Sequence, residues 1–311
     1  MELRPLGFGE IFDRAVTLYI RNFAAFAGIV LVMIVPFAVF EYVMAVASQP
    51  EFDAFIHVFT HPHDPQPPTP VAFTSPAWIA GIAGVALIFL CIWPFVCSAV
   101  VVGVARVYGG LPIEFRACYA AVLARWKQIA GLTFVQAIAV IAWYLATVLL
   151  LVVIFVPIVT MGAALPRVAL VAAVIVAIAA FFAAFALLAV LIVATSFATY
   201  SSVIERRDVF DALRTGFSRV FNRSEFWRAL LFSIAASAVV TGASMSLGVI
   251  GLAATLLHLP ALRAAIDSIS EAVLAPFGVV LFAVYYFDVR IRHEAFDLEA
   301  SLDRLAGSQT T

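Results

Sequence analysis

Charged residues are scarce in this sequence, and so are cysteines and the short motifs of enzymes. Only 12% of the 311 residues are charged, and the three cysteines, Cys91, Cys97 and Cys118, form no CxxC pair. Such cysteines usually pack as small apolar residues, so we expect neither a disulfide nor a zinc site. No glycine-rich phosphate loop, HExxH or GxSxG motif occurs, which predicts neither enzymatic activity nor a cofactor.

Apolar residues dominate instead. They make up 65% of the chain, and the mean hydropathy of +1.10 predicts an integral membrane protein. Six regions reach the ~20 apolar residues that a spanning helix needs, namely 24–47, 77–105, 129–156, 168–200, 229–257 and 268–287. The runs are too long and too continuous for barrel strands, so the predicted fold is all-α. We expect residues 24–47 to be a retained span rather than a cleaved signal.

Arginines segregate to one side of these spans. They cluster before the first span, between the second and third, between the fourth and fifth, and after the sixth, whereas only Arg167 and Arg263 lie on the other side. By the positive-inside rule both termini are cytoplasmic. Residues 48–76 then form an external proline-rich loop, and residues 292–311 form a cytoplasmic tail.

Three short segments between the spans repeat one pattern. Residues 207–223, and similar segments before the first and third spans, place apolar residues at helical spacing, which predicts amphipathic helices at the cytoplasmic interface. Aligning Phe12, Phe115 and Phe210 places a second aromatic about three turns later in each copy, which predicts that both aromatics share a helix face. The second aromatics are Phe23, Trp126 and Phe221.

The order amphipathic helix, span, span therefore occurs three times within a single membrane domain, residues 1–311. The predicted repeat units are residues 6–108, 112–203 and 207–291. Two spans per unit return the chain to the same side of the membrane, so the repeats are parallel. The alternative explanation is that any helix entering a membrane from the cytoplasm carries aromatics and arginines.

Three stretches, "LRPLGFGEIFDRAVTLYIRNF", "VIERRDVFDALRTGFSRVF" and "YYFDVRIRHEAFDLE", together carry a resemblance to a known family. The chain resembles bacterial membrane proteins related to the membrane domain that is fused to some glycerophosphoryl diester phosphodiesterases. The resemblance implies a multi-span helical protein of the bacterial cytoplasmic membrane. It does not imply phosphodiesterase activity, because no room remains outside the spans for a catalytic barrel of about 250 residues.

Ionisable residues near the predicted spans are few. Glu41 and Glu271 lie towards the outer side, and Arg106 and Asp288 towards the inner side. Such residues are functional when they lie deep in a membrane, whereas near span ends they reach water. Arg106 and Asp288 each follow a proline by twelve residues in the second and sixth spans, which suggests that the two charges meet.

Two further groups of polar residues stand out. The fifth span carries a stripe of small residues that includes Ser237 and Thr241, which indicates close helix packing or, alternatively, the lining of a solute path. The external loop carries His57, His61 and His63 with Asp64, which are residue types that bind zinc or copper. Its proline-rich sequence offers no rigid frame for a metal, so we favour a solvated loop.

The sequence favours a non-catalytic scaffold or accessory subunit that binds anionic lipid or a protein partner through its short helices. The expected contacts are Arg207, Arg214, Arg219 and Arg223. Membrane lipids are the expected partners, nucleic acid is not expected, and the oligomeric state stays open. The alternative is a transporter or lipid-handling protein, whose candidate intramembrane polar residues are Glu41, Arg106, Ser237, Thr241, Glu271 and Asp288.

Overall fold

Ten α-helices contain most of the residues that the computed structural model describes, which are 6–60, 76–161, 167–222 and 225–294. They are α1 (Phe8–Arg21), α2 (Phe23–Thr60), α3 (Pro76–Cys91), α4 (Trp93–Tyr108), α5 (Phe115–Leu123), α6 (Trp126–Met161), α7 (Arg167–Ile204), α8 (Val209–Val220), α9 (Phe226–Leu256) and α10 (Pro260–Glu294). These ranges contain no strand. The predicted all-α fold is confirmed, and helices suit a bilayer because they satisfy their backbone hydrogen bonds internally.

Six helical stretches are long and apolar enough to cross a membrane. Each covers between 28 and 34 residues, with a mean hydropathy between 1.8 and 3.0 in its most apolar window. The stretches are Phe23–Pro50, Ile79–Tyr108, Trp126–Ile154, Val171–Ile204, Phe226–Leu256 and Pro260–Arg292. They match the six predicted regions closely, except that the last begins at Pro260 rather than at residue 268. The chain is therefore of the multi-pass membrane type.

The second of these stretches is divided at Ile92. Helix α3 ends at Cys91, and α4 begins at Trp93 with Pro94 in its first turn. A proline inside a helix removes a hydrogen bond and clashes with the carbonyl four residues earlier, whereas it fits well at a helix start. The break therefore lies where Pro94 favours the start of a new helix.

Helix α2 continues beyond the predicted end of the first span. It reaches Thr60, so residues 48–60 are helical although the sequence placed them in the external loop. Gln49 supports this extension, because its Nε2 donates to Asp53 Oδ1 one turn later at 3.0 Å and to the Thr255 carbonyl of α9 at 3.2 Å. The proline-rich core of the predicted loop, residues 61–70, lies outside the described residues.

The short helices α1, α5 and α8 each come before two spanning stretches, which is the predicted order. Helix α1 ends at Arg21, α5 at Leu123 and α8 at Val220. A helix end therefore separates the two aromatics of each aligned pair, and the prediction that they share one helix face is wrong. The interfacial position of these helices and the threefold repeat stay predictions.

The chain divides into two compact units. Unit 1 comprises Met1–Trp126 and Ala236–Thr311, and unit 2 comprises Lys127–Ala235. Helix α10 forms the core of unit 1, where it packs against α1, α2 and α4. Tyr19 of α1 donates its hydroxyl to the Val273 carbonyl at 2.7 Å. Val273 lies in the turn of α10 that precedes Pro276, a proline inside this helix.

Helices α7 and α8 make the closest packing in unit 2. Gly216 of α8 faces the α7 backbone, and a Cβ at this position would lie 2.5 Å from the Ala194 carbonyl oxygen and 2.6 Å from the Ala198 nitrogen. Ser201 Oγ of α7 also donates to the Ala212 carbonyl at 3.4 Å. The face of α8 that packs on α7 is thus its small-residue face, while Phe210 points outwards and is 82% exposed.

Candidate functional site

Four ionisable side chains of unit 1 form what we name the α2–α10 charge cluster: Glu41, Arg263, Asp267 and Glu271. The last three follow one another at steps of four residues, which places them along one face of α10. Arg263 Nε lies 3.6 Å from Asp267 Oδ2. Glu41 reaches the group from α2 and lies close enough for its charge to interact with all three. The cluster thus combines three carboxylates with one guanidinium.

A cavity of about 310 Å³ adjoins this cluster. Its walls are Phe52, Gly248, Gly251, Leu252, Thr255, Arg263 and Asp267. A Cβ at position 251 would lie 3.2 Å from Asp267 Oδ1, so the glycine leaves this carboxylate open to the cavity. The volume is at the lower end of the range for small-molecule pockets, about 300 to 1,000 Å³.

Polar contacts beside the cavity join the extension of α2 to the turn between α9 and α10. His258 adopts a left-handed backbone conformation with φ of 56°, which histidine tolerates better than most residues. Its Nε2 lies 3.3 Å from a carboxylate oxygen of Asp53. Gln49, which bonds the Thr255 carbonyl, adds a second link. These contacts hold the cavity walls of α2 and α9 together.

The charge balance of the cluster favours a positively charged ligand. A carboxylate in a spanning helix costs several kcal/mol, and like charges beside it raise that cost. Arg263 offsets only one of the three negative charges. A bound cation would offset more of the remaining repulsion, so the arrangement suits a small cation and disfavours an anion.

The sequence singled out two members of the cluster and missed the others. Sequence reasoning treats Glu41 and Glu271 as separate intramembrane acids, uses Arg263 only to predict topology and assigns no role to Asp267. A signal was present, because residues 263, 267 and 271 of one span are all charged and four apart. No sequence pattern indicates that Glu41 of another helix joins them.

Asp288 lies near the other end of α10, 21 residues or about 32 Å from Asp267. It is fully buried, and it accepts hydrogen bonds from the Leu6 N–H at 2.6 Å and from Arg292 Nε at 3.0 Å. Arg292 also donates to the Leu6 carbonyl. Asp288 and Arg292 together anchor the segment before α1 to α10, which is a structural role.

Arg106 does not form the ion pair with Asp288 that the sequence suggested. Its Nε donates to the Pro112 carbonyl at 2.8 Å, and its guanidinium lies 3.8 Å from Glu114. In the part of the chain that the structure describes, Glu114 is the carboxylate that pairs with Arg106. Arg106 therefore fixes the connection between α4 and α5.

The arginines near α8 differ in their surroundings. Glu205 accepts from Arg207 at 2.7 Å and from Arg219 at 2.8 Å, and the Arg219 side chain is only 6% exposed. Arg214 is exposed and makes no ion pair with any residue that the structure describes. Arg223 lies outside the described residues. Of the four predicted contacts, Arg219 is thus held inside unit 2, whereas Arg214 is accessible.

A second cavity of about 270 Å³ lies beside Arg214, between α6, α7 and α8, and we name it the α8 groove. Its lining atoms are almost entirely apolar. The residues are Val135, Gln136, Ala139, Thr195, Leu213, Arg214 and Phe217. Gln136 Nε2 donates to the Thr195 carbonyl at 2.8 Å and to Thr199 Oγ1 at 3.0 Å, so its amide is already bonded within the wall.

The small residues of α9 fall into two groups. Ser233 is buried in unit 2 and donates to the Ala189 carbonyl of α7 at 3.1 Å, as a packing role requires. Ser237 and Thr241 belong to unit 1, where both are exposed and neither lines the cavity that adjoins the α2–α10 charge cluster. The structure therefore does not bring these two hydroxyls together with Glu41 or Glu271.

A metal site finds no support among the described residues, which contain no group of three or more potential ligands from His, Cys, Asp and Glu. His57 lies within α2, and His61, His63 and Asp64 lie outside the described residues.

No protein-family model, curated protein or solved structure matches the chain. The resemblance to the membrane domain of glycerophosphoryl diester phosphodiesterases therefore stays a prediction. Any functional conclusion has to rest on the geometry of the charge cluster and of the α8 groove.

Proposed function

We propose that this membrane protein binds and translocates a small cationic solute, which it holds at the α2–α10 charge cluster. The observation that carries the proposal is the position of Asp267, which faces a cavity of about 310 Å³ while Glu41 and Glu271 add negative charge beside it. Ionisable residues within spanning helices usually mark such pathways. The transporter alternative from the sequence is favoured for this reason.

The scaffold hypothesis is the second candidate. It rested on four accessible arginines, but Arg219 is buried against Glu205, and Arg207 contacts the same carboxylate. Arg214 still supports it, because this side chain is exposed beside an apolar groove. Binding of lipid at α8 and binding of a solute in unit 1 are compatible, since they use different residues.

A cationic solute should stabilise the purified protein against thermal unfolding. We expect putrescine or ethanolamine to raise the melting temperature, because a ligand at 100 times its Kd adds about 2.7 kcal/mol to the unfolding free energy. Acetate should have no effect. Glu41→Gln combined with Asp267→Asn should abolish both the stabilisation and the uptake of labelled putrescine into proteoliposomes.

Ser237→Ala combined with Thr241→Ala provides the matched control. Both residues are exposed polar residues of α9 outside the cavity, so this variant should respond to putrescine like the wild type. Equal stabilisation by acetate, or an unchanged response of the Glu41 and Asp267 variant, would contradict the proposed site.

We also propose that the protein resides in the bacterial cytoplasmic membrane with both termini in the cytoplasm, as the arginine distribution predicts. Leu257, exposed in the turn after α9, and Asp211, exposed in α8, then lie on opposite sides. In a background without native cysteines, Leu257→Cys should react with an impermeant thiol reagent in cells whose inner membrane is intact. Asp211→Cys should react only after permeabilisation, and the reverse result would refute this orientation.

A further inference from the structure

The wall of the α8 groove is chemically suited to a hydrocarbon chain. Val135 and Ala139 of α6 face Leu213 and Phe217 of α8 across a space of about 270 Å³. The nearby polar groups are bonded elsewhere: Gln136 donates to the Thr195 carbonyl, and Thr195 Oγ1 donates to the Leu191 carbonyl at 2.9 Å. An apolar occupant therefore costs these donors no hydrogen bond, whereas a polar occupant would find few free donors in the wall.

Arg214 lines the same groove with apolar carbon atoms and carries a positive charge at the end of its side chain. It is the one charged residue among the lining residues, and within the described ranges it makes no ion pair. Arg219, five residues later, shows the contrasting case of a guanidinium that is buried against Glu205. An apolar groove next to a guanidinium that has no ion-pair partner among the described residues matches a molecule that joins a hydrocarbon chain to an anionic group.

We infer that the α8 groove holds one acyl chain of an anionic phospholipid, whose phosphate pairs with the Arg214 guanidinium. The charge complementarity selects the anionic headgroup, since an arginine beside an anionic lipid surface contributes attraction that a zwitterionic lipid lacks. The inference does not depend on the solute site, because all residues of the groove belong to unit 2.

Native mass spectrometry of the full-length protein in non-ionic detergent tests this inference. Titration with phosphatidylglycerol should give one bound lipid with higher affinity than titration with phosphatidylcholine. Arg214→Gln should weaken binding of phosphatidylglycerol about fivefold, the value expected for one charge near an anionic headgroup. It should weaken binding of phosphatidylcholine less, because the choline offsets the phosphate charge. Ala139→Trp, which fills the groove, should reduce the binding of both lipids.

Arg206→Gln is the matched control, because Arg206 is also exposed without an ion pair in the described part of the chain but does not line the groove. It should bind phosphatidylglycerol as the wild type does. An equal loss in Arg206→Gln would show general surface attraction and overturn the inference. Unchanged lipid binding in Ala139→Trp would exclude an acyl chain in the groove. Arg214→Gln is a surface change, so the headgroup contact stays testable even if Ala139→Trp misfolds.

Discussion

Replacing Gly216 by alanine should destabilise unit 2 by about 3 kcal/mol, at the upper end of the usual cost of overpacking. The three nearest atoms to the added Cβ, at 2.5, 2.6 and 3.0 Å, all belong to the backbone of Ala194 and Ala198. No side chain can rotate to make room, so α8 must move away from α7. This loss outweighs the gain of up to about 1 kcal/mol that alanine brings to a helix interior. Equilibrium unfolding in detergent measures the effect.

Gly9→Ala is the control, because Gly9 lies in the short helix α1 and nothing stands within 4 Å of its added Cβ. That change should leave stability unchanged or raise it slightly. The Gly216 variant should also show faster amide exchange in α8, because this helix loses its close packing on α7. A Gly216 variant as stable as the wild type would show that α7 and α8 do not pack this closely.

The spanning helices could be predicted because their signal is local. A run of more than 20 apolar residues has one stable backbone solution inside a bilayer, whatever it contacts. The break at Ile92 also follows from the local sequence, since Pro94 acts through its own ring and missing N–H. The extension of α2 to Thr60 could not be predicted from the local sequence, because Gln49 stabilises it by bonding the Thr255 carbonyl 206 residues away.

The charged residues show more clearly that local sequence patterns do not predict contacts between distant residues. Arg214 and Arg219 both follow the spacing of one short helix, and sequence reasoning gave them the same role. Their difference comes from Glu205, which lies 14 residues before Arg219 and meets it only because α8 folds back on α7. Similarly, Glu41 was recognised as unusual, but its neighbours on α10 come from the packing of two distant spans.

The two faces of α8 have different roles. The sequence pattern grouped Phe210, Leu213 and Phe217 as the apolar face of an amphipathic helix at the membrane interface. In the structure the α7 contact uses Ala212 and Gly216, while Phe210 is exposed and Leu213 and Phe217 line the α8 groove. Small residues allow backbones to approach closely, so they decide packing where large apolar side chains remain free for lipid.

Glu205→Gln should destabilise the protein by about 3 to 5 kcal/mol, the usual cost of breaking a buried ion pair. The side chains of Glu205 and Arg219 are only 10% and 6% exposed, and their atoms lie 2.8 Å apart. Glutamine keeps the shape of the glutamate but not its charge, so it leaves the buried Arg219 guanidinium without its carboxylate. Arg219→Gln should cost less, because Glu205 keeps its contact with Arg207 at 2.7 Å.

The double variant Glu205→Gln, Arg219→Met should recover most of the lost stability, since an apolar side chain of similar length removes the unpaired charge. Unfolding free energies of the wild type, Glu205→Gln, Arg219→Met and the double variant form a cycle whose coupling energy isolates the pair. Additive losses would show that the two side chains do not interact. A strong coupling would also show that Arg219 cannot be replaced together with Arg214 in a test of lipid binding, because the loss of Arg219 would itself destabilise α8, which carries Arg214.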